Sequence, residues 1–177
     1  NTSTGCVGDM SGSTTVGSNP LPDGFAMTGG GGDCVGGSGV VVGLSNAATG
    51  ISYQLLKDGV STGSPVAGTG VGLNFGSQSA GTYSVAATNG TTGCTNNMIG
   101  SVTVSVNALP VAYAMTGGGS YCAGGSGVAV GLGNTETTAT YQLYRGSTAV
   151  GSAVAGTGSA LSFGLQTIAG VYSVVAA

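Results

Sequence analysis

Short runs of β-favouring residues, separated by Gly, Asn and Asp, dominate the pattern of apolar and polar positions along the chain. The clearest is "SVTVSV" at 101–106, where polar and apolar residues alternate strictly, as expected for a strand with one buried face. No segment has the apolar period of an amphipathic helix. We predict strands near residues 25–29, 38–44, 51–57, 62–67, 71–76, 81–88 and 98–106.

Turn residues mark the boundaries between these runs. "KDG" at 57–59 and "TNG" at 88–90 are typical of β-hairpin turns, because Asn, Asp and Gly tolerate the positive φ angles that such turns require. Short strands spaced by roughly 8–12 residues are the signature of an antiparallel β-sandwich. The predicted fold class is therefore all-β.

The chain contains an internal repeat. "FAMTGGGGDCVGGSGVVVGL" at 25–44 matches "YAMTGGGSYCAGGSGVAVGL" at 113–132, with an offset of 88 residues. The match continues through "SYQLLKDG" and "TYQLYRGS", and through "AGTYSVAATNG" and "AGVYSVVAA", where one residue is inserted near position 167. The sequence thus predicts tandem β-sandwich modules of about 88 residues, since self-similarity at a fixed period indicates a repeated structural unit.

The same offset assigns the first residues of the chain to a repeat. "NTSTGCVGDMSGSTTVGSNPLP" at 1–22 aligns with "NGTTGCTNNMIGSVTVSVNALP" at 89–110. We therefore expect 1–19 to be the last hairpin and strand of a preceding or neighbouring repeat. Residues 20–108 form a complete repeat, and 109–177 form a repeat that lacks its last strand.

This frame has two interpretations. Joining Ala177 to Asn1 restores the repeat, which favours a window on a continuous chain of modules connected by "NPLP" at 19–22 and "NALP" at 107–110. Alternatively each chain is a subunit, and residues 1–19 complete the open sandwich of a neighbour by strand addition. Both interpretations make other copies of the same repeat the predicted partner.

The four cysteines predict disulfides. Cys34 and Cys94 are the pair inside the complete repeat, and a bond closing 60 residues contributes about 4 kcal/mol in the chain-entropy model. Free thiols or a metal site are the alternatives, but the sequence has no His and no C-x-x-C. We expect Cys6 and Cys122 to form disulfides between neighbouring units, with Cys6 bonded to the Cys122 position of a neighbour.

The charge balance excludes several function classes. Charged residues are only 4% of the chain, with a net charge of −3 and two cations, too few to neutralise nucleic-acid phosphates or an anionic membrane. No apolar run reaches 18 residues, so we expect no membrane insertion. Without His, the commonest general base and zinc ligand is missing, and the carboxylates do not recur between repeats. We predict no catalytic residue, cofactor or metal.

Three further features have candidate roles. Lys57 and Arg145 occupy the same repeat position; they are either a regular fibre contact or, as we prefer, charges that block a strand edge. "TGGGG" at 28–32 lacks the Lys-Ser/Thr ending of a phosphate loop. Asn1 and Asn89 begin triplets that accept N-linked glycans, although Asn is also expected in the turn that they share.

A tyrosine recurs in "AGTYSV" and "AGVYSV". The pattern resembles the tyrosine corner of immunoglobulin-like domains, in which the hydroxyl bonds to upstream backbone. Tyr83 and Tyr172 are the residues concerned. Val85 and Val174 stand where antibody domains have a cysteine. The tryptophan of those domains is absent too, and Tyr53 or Leu55, and Tyr141 or Leu143, are expected to fill its space.

The combined pattern resembles the tandem immunoglobulin-like repeats of giant surface and secreted proteins of Bacteroidota. It is carried by "YAMTGGGSYCAGGSGVAVGL", "YQLYRG", "AGVYSVVA" and "TNGTTGC", and it covers essentially the whole chain. The resemblance implies export, an extracellular or cell-surface location with an oxidising environment, and a role as a stalk, adhesin shaft or fibre. It implies no catalytic residues.

The predicted function is structural: tandem sandwich modules that form an extracellular filament or an adhesin shaft. The alternative is a glycan- or surface-binding module that uses exposed tyrosines. Tyr113, Tyr121 and Tyr144 appear in one copy only, whereas Tyr53 and Tyr141 recur and are expected in the core. For a fibre, a glycan or surface ligand is expected only at a tip that lies outside this chain.

Overall fold

The computed structural model describes residues 2–177, and all of its regular structure in that range is β. The chain divides into two compact units, Asn1–Asn107 and Ala108–Ala177. This division falls one residue from the predicted boundary between 108 and 109. No helix among residues 2–177 is long and apolar enough to cross a membrane.

Ten strands lie in residues 2–107 of the first unit. They are β1 (Met27–Gly29), β2 (Gly31–Cys34), β3 (Val40–Leu44), β4 (Ile51–Lys57), β5 (Val60–Ser61), β6 (Val66–Ala67), β7 (Leu73–Gln78), β8 (Gly81–Asn89), β9 (Thr95–Asn97) and β10 (Val102–Asn107). The strand predicted at 98–106 corresponds to β10, and the short strand β9 before it was not predicted.

These strands form two sheets. One has the order β1-β3-β7, and the other has the order β2-β10-β8-β4-β5, with β6 also paired to β4 and β9 to β8. All the pairs are antiparallel except β2 with β10, which is parallel. The alternating burial of β8 reflects its central position in the second sheet, with one face turned toward the core.

The core of the first unit lies between the two sheets. Val42 and Leu44 of β3 face Tyr53 and Leu55 of β4, and all four side chains are at most 4% exposed. The buried hydroxyl of Tyr53 is paired, because it accepts a hydrogen bond from the Ala48 amide at 2.9 Å. Apolar burial on this scale contributes about 1.5–3 kcal/mol for each large side chain.

The "TGGGG" segment passes the chain from one sheet to the other. Gly29, at φ +85°, ends β1, and a Cβ there would lie 2.0 Å from the Val41 carbonyl oxygen. The next residue, Gly30, donates its amide to that same oxygen at 3.1 Å, and β2 then begins on the second sheet. The glycines are required by close backbone approach.

Both predicted hairpins are present. Asp58 (φ +52°) and Gly59 (φ +81°) form the two-residue turn between β4 and β5, where Lys57 pairs with Val60. At the other hairpin, the Asn89 amide donates to the Cys94 carbonyl at 2.9 Å, which closes the loop between β8 and β9. Two positive φ angles in sequence are typical of the type I′ turn that suits twisted hairpins.

The second unit repeats most of this arrangement. Its strands are β11 (Met115–Gly117), β12 (Val128–Leu132), β13 (Thr140–Arg145), β14 (Thr148–Ala155), β15 (Leu161–Gln166) and β16 (Tyr172–Ala176). They form the sheets β11-β12-β15 and β14-β13-β16, and all pairs are antiparallel. Its core includes Leu132, Tyr141 and Ala139.

Candidate functional site: the open strand edge of the second unit

Strand β16 has an open edge. It pairs with β13 on one side, and no strand within the described part of the chain pairs with its other side. Its counterpart β8 in the first unit pairs with β4 on one side and with both β9 and β10 on the other. The backbone N–H and C=O groups along an open edge can pair with an added strand.

The open edge leaves part of the core incompletely covered. Tyr83, Val85 and Ala87 on β8 are at most 1% exposed, because β9 and β10 lie beside them. The equivalent residues of β16 are Tyr172, Val174 and Ala176, and all three are only half-buried. The two units therefore differ in burial at positions where their sequences are nearly the same.

Two cavities adjoin this edge, and both are lined by Tyr172. One has a volume of about 460 Å³ and is lined by Tyr113, Met115 and Val174 among others. The other has a volume of about 300 Å³ and is lined by Gly118, Val130 and Gly170 among others.

In the first unit, the places of these two cavities are taken by a side chain between β9 and β10 and by a side chain on β10. Met98 is 5% exposed, and its sulfur accepts the amide of Phe25, the counterpart of Tyr113, at 3.4 Å. Val104 is 2% exposed and pairs with Gly81, the counterpart of Gly170. Each cavity of the second unit thus corresponds to one apolar side chain of the first.

The space around one recurring glycine also differs between the two units. In the first unit, a Cβ on Gly30 would lie 2.9 Å from the Thr103 carbonyl oxygen and 3.0 Å from the Val102 side chain, both on β10. Its counterpart Gly118 has nothing within 4 Å of the same position. Both repeats have a glycine at this position, but only in the first unit does a neighbouring strand leave no room for a side chain.

Strand β2 also depends on the last strand. Its four residues pair only with β10, in the register Gly31–Val104 to Cys34–Asn107. The matching residues 119–122 of the second unit carry no strand. A strand rich in glycine has little side-chain packing of its own, so we attribute its formation to the partner.

The segment 5–24 forms no strand, and its residues are exposed except for Pro22. Val7 is 99% exposed, Met10 is 85% exposed and Val16 is 93% exposed. In the repeat alignment, Met10 corresponds to Met98 and Val16 to Val104. The C-terminal end of the segment is attached to the first unit, because the Pro22 carbonyl accepts a hydrogen bond from the Asn96 side chain at 2.7 Å.

The two recurring corner tyrosines make the same bond. The Tyr83 hydroxyl donates to the Ser79 carbonyl at 2.7 Å, and the Tyr172 hydroxyl donates to the Ile168 carbonyl at 2.6 Å. In each case the acceptor lies four residues upstream. This is the backbone contact expected from the sequence pattern.

The predicted Cys34–Cys94 disulfide is not compatible with the strand register. Cys34 ends β2 beside Asn107, whereas Cys94 lies at the opposite end of the sheet, beside Asn89. Eight residues of β8 and three of β10 separate these ends, which corresponds to about 36 Å at a rise of about 3.3 Å per residue. A disulfide requires Cα atoms within about 7 Å. Both residues are thiols in the structure.

The same geometry corrects the proposed pairing of Cys6 with a Cys122 position. Cys6 corresponds to Cys94 and Cys122 to Cys34, so a strand added in the first unit's register would hold them at opposite ends of one sandwich. Cys122 is an exposed thiol, and the Cys6 sulfur lies 3.7 Å from the Thr4 carbonyl oxygen. Disulfides from these residues to other positions of neighbouring units stay predictions.

The recurring cations pack on the second sheet. Lys57 donates to the Ser79 hydroxyl at 2.9 Å, and its ammonium lies 6.0 Å from the centre of the Tyr83 ring. A Cβ on Gly81 would lie 2.6 Å from the Lys57 side chain, and one on Gly170 would lie 2.8 Å from the Arg145 side chain. The shared position therefore serves packing beside the corner tyrosine, in addition to adding charge.

The carboxylates bind nearby backbone. Asp33 accepts the Gly39 amide at 2.6 Å, Asp58 accepts the Thr82 amide at 2.9 Å, and Glu136 accepts the Val111 amide at 3.1 Å. No group of three or more His, Cys, Asp or Glu residues in the range 2–177 is placed to hold a metal ion. These side chains stabilise loops, and none of them meets another in an acid–base pair.

The glycosylation and glycan-binding candidates have local structural roles. The Asn89 side chain accepts the Thr91 amide at 2.9 Å, as expected of a turn-forming Asn. Asn1 lies outside the described residues. The Tyr121 hydroxyl donates to the Thr167 carbonyl, and Tyr113 and Tyr144 are half-buried. The structure does not gather these tyrosines into one exposed surface.

No protein-family model matches the chain, and no curated protein matches it. The open edge of β16 is the structural feature that bears most directly on function.

Proposed function

We propose that this protein is a structural component of an extracellular filament or a cell-surface shaft, built from repeated immunoglobulin-like sandwich units. The observation that carries the proposal is the open edge of β16, together with a segment elsewhere in the chain that aligns, through the 88-residue repeat, with the strands that close the equivalent edge in the first unit. A chain with both features is suited to associate with copies of itself.

The immunoglobulin-like assignment rests on three properties. Each unit places a core between two mainly antiparallel sheets, and each has the tyrosine hydroxyl bonded to upstream backbone. In the first unit, the initial strand also changes sheet through Gly29 and Gly30. These properties support a common domain type for the two units.

The composition supports a location outside the cell. Only two residues, Lys57 and Arg145, are cleavage sites for trypsin-like proteases, and both end a paired strand. Their side chains pack against Gly81 and Gly170, respectively. A material exposed to extracellular proteases benefits from so few sites.

Electron microscopy of the purified chain and of the native cell surface tests the proposal. We expect threads whose repeat distance corresponds to the length of one or two sandwich units, and antibodies against the chain should label such threads on intact cells. Isolated particles at every protein concentration, with antibody labelling confined to the cytoplasm, would contradict it.

A further inference from the structure

We propose that the open edge of β16 binds residues 6–19 of a second copy of this chain, which add as an antiparallel strand. The inference rests on the proposed function, because it names the contact by which copies associate. The occupant is chosen because it occupies the repeat position of β9 and β10, with Met10, Gly12, Thr15, Val16 and Asn19 identical to their counterparts, and those strands cover the equivalent edge in the first unit.

The first unit supplies the register of the added strand. There Val102 pairs with Tyr83, Thr103 with Thr82 and Val104 with Gly81. Transferred through the repeat alignment, Thr14 of the second copy pairs with Tyr172, Thr15 with Val171 and Val16 with Gly170. The upstream part pairs Asp9 with Val175, since Asn97 pairs with Ala86 in the first unit.

The two cavities receive the two apolar side chains of the added strand. Met10 corresponds to Met98, so it enters the cavity of about 460 Å³ beside Tyr113. Val16 corresponds to Val104, so it enters the cavity of about 300 Å³ beside Gly170. An added strand gains its specificity from pockets that accept its inward-facing side chains.

The bend in the added strand is preserved as well. β9 and β10 are separated by Gly100, which has φ +78°, and the equivalent Gly12 has φ +96°. The positions that face outward on β10, such as Thr103, are exposed, and their counterpart Thr15 is identical. The segment thus matches the first unit at the two buried apolar positions, at Thr15 and at the glycine bend, whereas Ser11, Thr14 and Ser18 stand where the first unit has Ile99, Val102 and Val106.

The segment does not fit its own first unit, because β9 and β10 already occupy that edge. Its exposed Met10 and Val16 have the residue types of buried core positions, at 85% and 93% exposure. A second copy provides an open site of the right shape. The other candidate occupants of the edge are segment 6–19 of the same chain and a polypeptide that continues from residue 177, and the experiment below separates them.

The test is a cross-link between two different chains. In a background with Cys6, Cys34, Cys94 and Cys122 replaced by Ser, one chain carries Thr15→Cys and an isotope-labelled chain carries Val171→Cys. Directly opposed side chains on adjacent strands have Cβ atoms about 5 Å apart, so mild oxidation should join the two chains. A mixture of Thr14→Cys with Val171→Cys is the control, because residue 14 points to the opposite face.

A mixed-mass dimer from the Thr15 and Val171 chains, absent or at least about tenfold weaker in the control, supports the proposal, given the strict alternation of faces along a strand. A single chain carrying both Thr15→Cys and Val171→Cys that closes on itself as a monomer, with no mixed-mass product, assigns the edge to its own segment and overturns it. Failure of every pair to cross-link also overturns it.

A second measurement uses assembly without cross-linking. Val16→Asp places a carboxylate in the smaller cavity, and we expect association to need at least about 100-fold more protein, since an unpaired buried charge is strongly disfavoured. Thr15→Asp is the matched control and should assemble like the parent. Val16 is 93% exposed in the single chain, so loss of folding is not expected, and circular dichroism checks it. Equal assembly of the two variants overturns the proposal.

The failure of this contact is distinguishable from the failure of the filament. Threads isolated from cells that give, after reduction, only a polypeptide much longer than 177 residues, together with no cross-link between chains, assign the edge to the continuing polypeptide. The filament function then stands and the strand from a second copy does not. If neither threads nor cross-links are found, both are overturned.

Discussion

At the scale of single residues, backbone crowding decides which glycines matter. Gly29 and Gly76 share almost the same backbone angle, φ +85° and +80°, but differ in surroundings. A Cβ on Gly29 meets the Val41 carbonyl oxygen at 2.0 Å, whereas one on Gly76 meets nothing within 4 Å. The pair separates the cost of a left-handed conformation from the cost of a collision.

We expect Gly76→Ala to lower the free energy of unfolding of the first unit by about 1 kcal/mol, the usual cost of φ > 0 for an L-residue. Gly29→Ala should cost at least about 3 kcal/mol, because the strand must also move away from β3. Pulse proteolysis in urea measures this, with cleavage after Lys57 reporting the first unit and cleavage after Arg145 the second. Equal effects of the two substitutions would show that the collision is relieved cheaply.

A second prediction concerns the corner tyrosines. Tyr83→Phe removes a hydrogen bond from a side chain that is 1% exposed, and we expect a loss of about 1 kcal/mol in the first unit. Tyr172→Phe should cost less in the unassembled chain, because water reaches its half-buried ring through the open edge. The same urea experiment compares them, and a larger effect at Tyr172 would contradict the proposed difference in burial.

Residue patterns alone identified these tyrosines and the hairpin turns, because both depend on local sequence. The functions of the glycines at 29 and 30 were not predicted, and "TGGGG" was only excluded as a phosphate loop. Their reason is a contact with Val41 and with β10, which are distant in sequence and brought close by the fold. The recurrence of the motif was the available signal.

At the scale of strands, the periodic runs located most elements to within a few residues. The exception with the greatest consequence is β2, whose Gly31–Cys34 sequence has no alternation and was not predicted as a strand. It forms through a parallel pairing with β10, and such a non-local pairing leaves no local signature. Its absence from the second unit follows from the same dependence.

Hydrogen exchange tests this dependence. In the unassembled chain, we expect the amides of β16 that face the open edge to exchange at least about tenfold faster than those of β8 that face β10, because they lack a strand partner. Assembled material should protect β16, and residues 119–122 should gain protection along with it. The amides of β13, paired on both sides in either state, are the internal control.

The prediction of a Cys34–Cys94 disulfide was wrong because of the way the strands are arranged. Sequence separation gives the size of a closed loop but not the end of the sheet at which each residue lies. Because β2 runs parallel to β10, the chain carries Cys34 to the opposite end of the sandwich from the hairpin that holds Cys94. The parallel pairing was the missing information.

At the scale of the whole molecule, this geometry predicts the disulfide map. Trypsin divides the chain after Lys57 and Arg145, so a Cys34–Cys94 bond would hold the first two fragments together. We expect mass spectrometry of the non-reduced, unassembled chain to find no peptide that joins these two residues. Detection of such a peptide in folded protein would require a strand register different from the one described.

The repeat relation between the two units is visible in the sequence, and the 88-residue offset also predicts that the second repeat lacks its last strand. The consequence for the core is not visible in the sequence. Val85 is 1% exposed where β9 and β10 are present, whereas Val174 beside the open edge is half-buried. The two cavities could not be predicted, because their lining residues are distant in sequence and are brought together by the fold.

The separation of segment 6–19 from the edge of β16 along the chain has a further consequence for growth. A contact between two different surfaces of identical subunits does not pair a subunit symmetrically, so association continues unless it closes into a ring. An open assembly therefore has polarity: one extremity displays an empty groove and the other displays an unbound segment. A free peptide of sequence 6–19 would cap the first extremity alone, and growth there would stop while the other continued.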